Sequence, residues 1–489
     1  MSITKILIIG LLSVGFWFSG WTAASDTNSV IAGPLFSRYS LTLAPGEREE
    51  IVSPFYYSEQ KETQHTWAVP PLMAHETDPA TQSEEYDFVY PIVGYYRFGH
   101  EYRWQFFQLL NFAGGRNQTN ATTRRFTIFP VYFQQRSTDT NKNYTAVFPI
   151  YGHLENRLFR DQIDFVLFPF YSKTRKKDVV NYNMPYPLYN KRYGDGLYGW
   201  QIWPFLGREH KAITTQTNVL HEKEVNGGHE SQFMMWPFFT EFTNGVGTTN
   251  AAWYKVLVPL RATYRSKARD SDSWGWPIGV THTIEREKQY VEWDAPWPLV
   301  EFAHGKGKTQ RRFWPFFSRG TNDTLTDNWY CWPVYKYSSI HAPPLERERT
   351  RIMFFLYSDL KMRSTTTGRE LRRTALFPFY ARTRELNGNE RLQVFAILEP
   401  FFPTNDKMQR EYAPVYSVWR AEKNPKTGAK SQSLLWNLYR KETAPGTKKI
   451  SLLFGLFQYQ SKPEGRRWRV CYIPMGKAPA SSKAPASGH

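Results

Sequence analysis

The chain has 489 residues, a formal net charge of +18 from 62 Lys and Arg against 44 Asp and Glu, and an aromatic content of 17%. So many aromatics exclude a disordered chain, which could not bury enough apolar surface to offset ordering. Beyond the N-terminus no run approaches the roughly 20 apolar residues of a spanning helix, and two cysteines exclude a disulfide scaffold or a Cys-based zinc module.

Residues 1–24 read as a secretory signal. Lys5 gives the positive start, Ile6 to Trp21 an apolar stretch, and Thr22-Ala23-Ala24 the small residues of a cleavage site. The alternative is an uncleaved anchor. Residues 25–475 then read as one repetitive domain, followed by a low-complexity tail at 476–489.

The repeat is a tetrapeptide, aromatic-Pro-apolar-aromatic. It occurs as Phe129-Pro130-Val131-Tyr132, Phe148-Pro149-Ile150-Tyr151, Phe168-Pro169-Phe170-Tyr171, Trp236-Pro237-Phe238-Phe239, Trp314-Pro315-Phe316-Phe317, Trp332-Pro333-Val334-Tyr335 and Phe377-Pro378-Phe379-Tyr380. Looser copies centre on residues such as Pro54, Pro91, Pro204, Pro259 and Pro414, and Phe354-Phe355-Leu356-Tyr357 lacks the proline. About 23 such centres recur at a spacing of about 20 residues. Polar turns such as Asn322-Asp323-Thr324 and Asn387-Gly388-Asn389 lie between them.

Strands of about 10–13 residues centred on the prolines, joined by turns of about 5–9, suit an antiparallel meander. A proline in nearly every repeat disfavours helix. Around Pro378 one parity carries Leu376, Tyr380, Arg382 and Arg384, the other Ala375, Phe377, Phe379 and Ala381. The expected fold is therefore all-β, a large up-and-down antiparallel meander of about 20–24 strands. Alternating aromatic-rich segments behind a signal resemble the strand grammar of bacterial outer-membrane β-barrels, which implies closure and a lipid-facing side. A soluble β-hairpin repeat or solenoid is the alternative. Mid-strand prolines, the non-aromatic tail and turns without short–long alternation depart from the barrel pattern.

Basic residues follow the centres: Lys173, Arg208, Arg319, Arg382 and Lys441 four positions on, Arg261 two on, Arg136 and Arg420 six on. They read either as solvated strand ends or as a basic interior lining that favours anions. Nucleic-acid binding is disfavoured, because the charge is spread along strands instead of forming a patch. His221 and His229 lie in the longest insertion, read as a solvated loop with weak ligand potential; no metal-binding spacing accompanies them. Gly305-Lys306-Gly307-Lys308-Thr309 lacks the first glycine of a phosphate loop, with Phe302 in its place. Cys331 and Cys471 read as packing thiols. No cofactor and no catalysis are implied. The expectation is an exported outer-membrane protein with a channel, transport or envelope role for anionic or amphiphilic solutes, with outer-membrane lipid as partner and its oligomeric state open. The alternative is a secreted soluble module binding through exposed aromatics.

Overall fold

The computed structural model describes residues 30–116, 122–217, 223–463 and 465–475. The expected export signal and C-terminal tail lie outside them. A single antiparallel sheet of 44 strands runs from Val30–Ala32 to Ile473–Met475, each strand pairing with its neighbours along the chain. A two-stranded hairpin, Thr214–Thr217 with Lys223–Asn226, stands apart from it. The architecture is all-β and meandering, but with about twice the expected strands at about half the length.

The reason lies in the proline centres. The stretch around the centre Trp314-Pro315-Phe316-Phe317, expected as one strand, is two strands, Lys308–Phe313 and Phe317–Asn322, folded back at Trp314-Pro315-Phe316. Each centre is a tight turn, so one repeat is a pair of strands. This removes the objection to mid-strand proline, which lacks the N–H a ladder requires. Phe148 N donates to Val131 O at 2.7 Å and Ile150 N to Val147 O at 2.7 Å, while the Pro149 carbonyl accepts from Phe168 N at 2.7 Å. Neighbouring turns are thus laced to one another, and proline occupies the one position with no donor to satisfy.

Because strands alternate direction, the turns at the repeat centres fall on one edge of the ribbon and the intervening turns, Pro343-Pro344 among them, on the other. A six-residue strand such as Tyr171–Lys176 spans about 20 Å at about 3.3 Å per residue. A long interruption breaks the lacing: residues 397–417 leave the proline edge and include two short helices, Asp406–Glu411 and Ala413–Tyr416. Pro414, counted as a strand centre from the sequence, instead sits in the first turn of the second helix, where its missing N–H costs nothing.

Little of this sheet is packed on both sides. Among the described residues some of the buried apolar side chains gather in two small clusters, Phe133, Tyr144, Ala146, Leu154 and Phe165 in one, Tyr57, Ala68 and Ala74 in the other, and the rest are scattered. Cohesion along the ribbon comes from the ladders and from cross-strand ring pairs such as Phe112–Phe126, stacked at 4.4 Å, each worth about 0.2–1 kcal/mol.

Among the described residues no ladder joins the first strand to the last. The two ends meet instead through one face of the sheet. Thr42 Oγ1 donates to Ser431 Oγ at 2.7 Å, Gln458 Nε2 to Ile31 O at 2.8 Å, and Asn437 Nδ2 to Glu50 at 2.7 Å. At the proline edge Gly33 N donates to Phe454 O at 2.9 Å. The first helix reinforces this seam: Arg410 donates to Glu76 at 2.6 Å, Glu85 at 3.0 Å and Asp87 at 2.6 Å on the strands Met73–Asp78 and Ser83–Phe88.

Candidate functional site

Register makes the two faces continuous objects. On the seam face, the row nearest the proline edge passes from Ile31 through Ser37, Glu50, Tyr57, Ala68, Ala74 and Asp87. Far along the sheet it continues through Gln393, Arg420, Ser433, Arg440, Ser451 and Gln458 to Arg469. Small and polar residues dominate it.

The opposite face differs. Its row beside the proline edge runs Val300, Phe313, Phe317, Tyr330, Tyr335, Ile352, Tyr357, Leu376 and Tyr380 with no charge. The same row from Met73 through Phe88, Val93, Phe106, Leu110 and Ile128 to Tyr132 is equally apolar. Beyond it the edge itself presents exposed Phe170, Trp236, Phe238, Trp314, Phe316, Trp332, Phe379 and Trp436. The turns and this first row together make an apolar border about 10 Å deep, from the rise along a strand.

Against this frame the basic residues singled out from sequence separate. Lys173, Arg208, Arg319, Arg382 and Lys441 share the second row of the open face, immediately behind the apolar row. Arg136 lies one row further, pairing with Arg124. Arg261 sits within the apolar row, between Leu257 and Trp274, and pairs with Asp272 at 3.1 Å. Arg420 alone is on the seam face. The eight therefore do not form one lining. Arg382 pairs with Glu390 at 2.9 Å, whereas Lys173, Arg208, Arg319 and Lys441 make no ion pair among the described residues. Arg319 donates to Tyr330 Oη at 2.7 Å and stacks over its ring, and Lys173 lies over Tyr182.

His221 lies outside the described residues. His229 belongs to a strand, Gly228–Met234, rather than a loop, and its Nε2 is 2.7 Å from a Glu209 carboxylate oxygen. Cys331 and Cys471 are exposed and unbridged on proline-edge turns, not packed as the sequence suggests.

Two groupings were hidden from the sequence. Glu292, Asp294 and Glu301 are buried together, with carboxylate oxygens within 4.8 Å. Lys308 Nζ reaches Glu292 and Glu301 at 2.6 Å each, and Arg312 reaches Glu301 at 2.8 Å, so the chain supplies its own counter-charge to all but Asp294. The second is a cavity of about 560 Å³ at the seam, lined by residues of both chain ends and the helical excursion. It extends from Pro54 and Trp436 at the proline edge to Thr42 and Leu43 at the polar edge, with Arg48, Glu50, Arg420 and Arg440 between.

Glu50 is the centre of this seam. Its Oε1 accepts from Tyr39 Oη at 2.6 Å and Arg48 Nε at 2.9 Å, its Oε2 from Ser53 Oγ at 2.8 Å and Asn437 Nδ2 at 2.7 Å. Burial raises its pKa, but Arg48 and the Tyr39 and Ser53 hydroxyls outweigh that and hold it down at about 2. Arg440 stacks 3.3 Å from the Tyr39 ring and is neutralised by Glu442 at 2.6 Å.

No protein-family model matches this chain, and no curated protein is significantly similar to it.

Proposed function

We propose that this is an exported envelope protein, with the outer membrane its expected home, that seats its proline edge in a lipid leaflet and handles anionic or amphiphilic solutes there. The observation that carries the reading is the apolar border: exposed aromatic turns repeated along one edge, backed by a row that is apolar except at Arg261, with basic side chains directly behind. A border about 10 Å deep matches an element lying within the interface, which buries its apolar side about 5–10 Å. Six-residue strands fall short of the 9–11 residues that carry a strand through hydrocarbon. The reading therefore places the edge inside a leaflet. Lys173, Arg208, Arg319 and Lys441 would sit at headgroup depth, their stems over the apolar row and their charges at the phosphates.

Flotation with vesicles tests it. The protein should rise with phosphatidylcholine vesicles, and more completely when phosphatidylglycerol is added. The triple variant F170E/F238E/F316E, altered at three exposed edge positions, should stay at the bottom. Charge reversal at Arg319 and Lys441 should weaken binding to the anionic vesicles alone, by about 1 kcal/mol per residue. Wild-type protein that stays at the bottom with both vesicle types, and is released from cells without detergent, would overturn the reading in favour of a soluble module binding through its aromatics.

A further inference from the structure

Among the described residues that line the seam cavity, one arginine, Arg420, makes no ion pair. The lining carries as many carboxylates as cations, so the question is local pairing. Arg48 is matched by Glu50 and Glu59, and Arg410 by Glu76, Glu85 and Asp87. Arg420 makes no ion pair among the described residues. Its Nε donates to Ser417 Oγ at 2.6 Å, and its terminal nitrogens have no protein acceptor among them. Glu50 makes no hydrogen bond to it, both of its oxygens already accepting two, although its charge, like that of Glu422, acts on the guanidinium. A guanidinium taken from water without a carboxylate is costly, and its planar pair of donors fits a carboxylate or phosphate bidentately. Desolvation, with Arg48 close by, pushes the Arg420 pKa below its ordinary value against the opposing pull of Glu50, Tyr39 and Glu422.

The wall toward the proline edge is apolar: Pro54, Pro414, Val418, Leu435 and Trp436. The Trp436 indole is fixed there by its Nε1–H donating to Pro414 O at 3.1 Å. The volume lies within the roughly 300–1,000 Å³ of ligand pockets. We infer that the seam cavity binds an anionic amphiphile, its phosphate or carboxylate head on Arg420 and its chain along the Trp436 wall. This does not depend on how the edge meets lipid, since the cavity lies between the chain ends.

Calorimetric titration with octyl phosphate below its micelle concentration, beside inorganic phosphate, tests it. The wild type should bind octyl phosphate saturably at one site, and inorganic phosphate more weakly. R420Q should lose about 10- to 100-fold in affinity, the worth of a hydrogen-bonded charge, and R420K, which keeps the charge but not the fork, should fall between. Each variant should first match the wild type in its far-ultraviolet spectrum and melting profile. If R420Q does not fold, R420K decides. Undiminished octyl phosphate binding in the folded variants would overturn the proposal, as would equal affinity for inorganic and octyl phosphate, which would mean a plain anion site without a chain channel. The F170E/F238E/F316E variant should retain octyl phosphate binding even where it no longer floats, so failure of the edge and of the cavity are separable.

Discussion

Two buried carboxylates give this ribbon opposite responses to pH. Glu50 has its folded pKa depressed to about 2 from 4.5, so the stability it contributes is present above pH 4.5 and is lost as pH falls through about 2. The shift corresponds to about 3 kcal/mol. Amide protection factors within the strands Phe36–Ser40 and Gly46–Ile51 should fall below pH 4 in the wild type. In E50Q they should be low already at pH 7 and nearly flat in acid. Asp294 behaves in reverse. Burial first, then Glu292 and Glu301, raise its pKa from 3.8 to about 7, so ionising it costs stability as pH rises between those values. D294N should raise amide protection factors in the strands Tyr290–Asp294 and Val300–Gly305 at pH 8 and remove their dependence on pH from 4 to 8. An unchanged profile would show that Asp294 finds a partner in solution.

At the level of strands and turns, parity explains both what the sequence revealed and what it concealed. Leu376 and Tyr380 are ladder partners across the turn Phe377-Pro378-Phe379. Four positions apart, they share a face, so alternation passes through a three-residue turn unbroken and two short strands imitate one long strand. The all-β meander, its period and the positions of the centres were therefore legible, while the fold-back inside each centre was not. The tell was proline itself, whose missing donor has no place in a ladder. Lys173, Arg208, Arg319, Arg382 and Lys441 fall in one row because they follow their turns by a constant offset. Arg420 follows the helical excursion instead and lands on the other face, a jump no local pattern records. The seam, which unites Glu50 with Asn437, was equally out of reach. The clamp from that excursion is its firmest part. R410A should expose the strands Met73–Asp78 and Ser83–Phe88 to exchange and cost about 3–5 kcal/mol locally, because Asp87 is fully buried and would lose its guanidinium. Protection equal to wild type would show that Lys407, 3.6 Å from Asp87, suffices.

Taken as a whole, the chain is a one-dimensional array in which each pair of strands touches the next. Removing residues 317–334 joins Phe316 to Tyr335 and deletes two strands with one turn of each kind. The shortened protein should fold, retain its circular dichroism and keep its greasy edge intact. Removing a single strand with one turn, 317–324, sends every later proline turn to the polar side and should yield aggregates. Equal behaviour of the two deletions would show that edge segregation is incidental. The seam has a different implication. In a cylinder sealed by main-chain pairing, opening it means tearing a ladder, and its girth is set by strand number and stagger. Here the clasp is built from side chains around Glu50 and Arg410, with the main-chain bond from Gly33 N to Phe454 O beside them, so it can come undone while every strand keeps its ladder partners. The molecule is in effect a belt with a buckle, able to part sideways and re-fasten without unravelling.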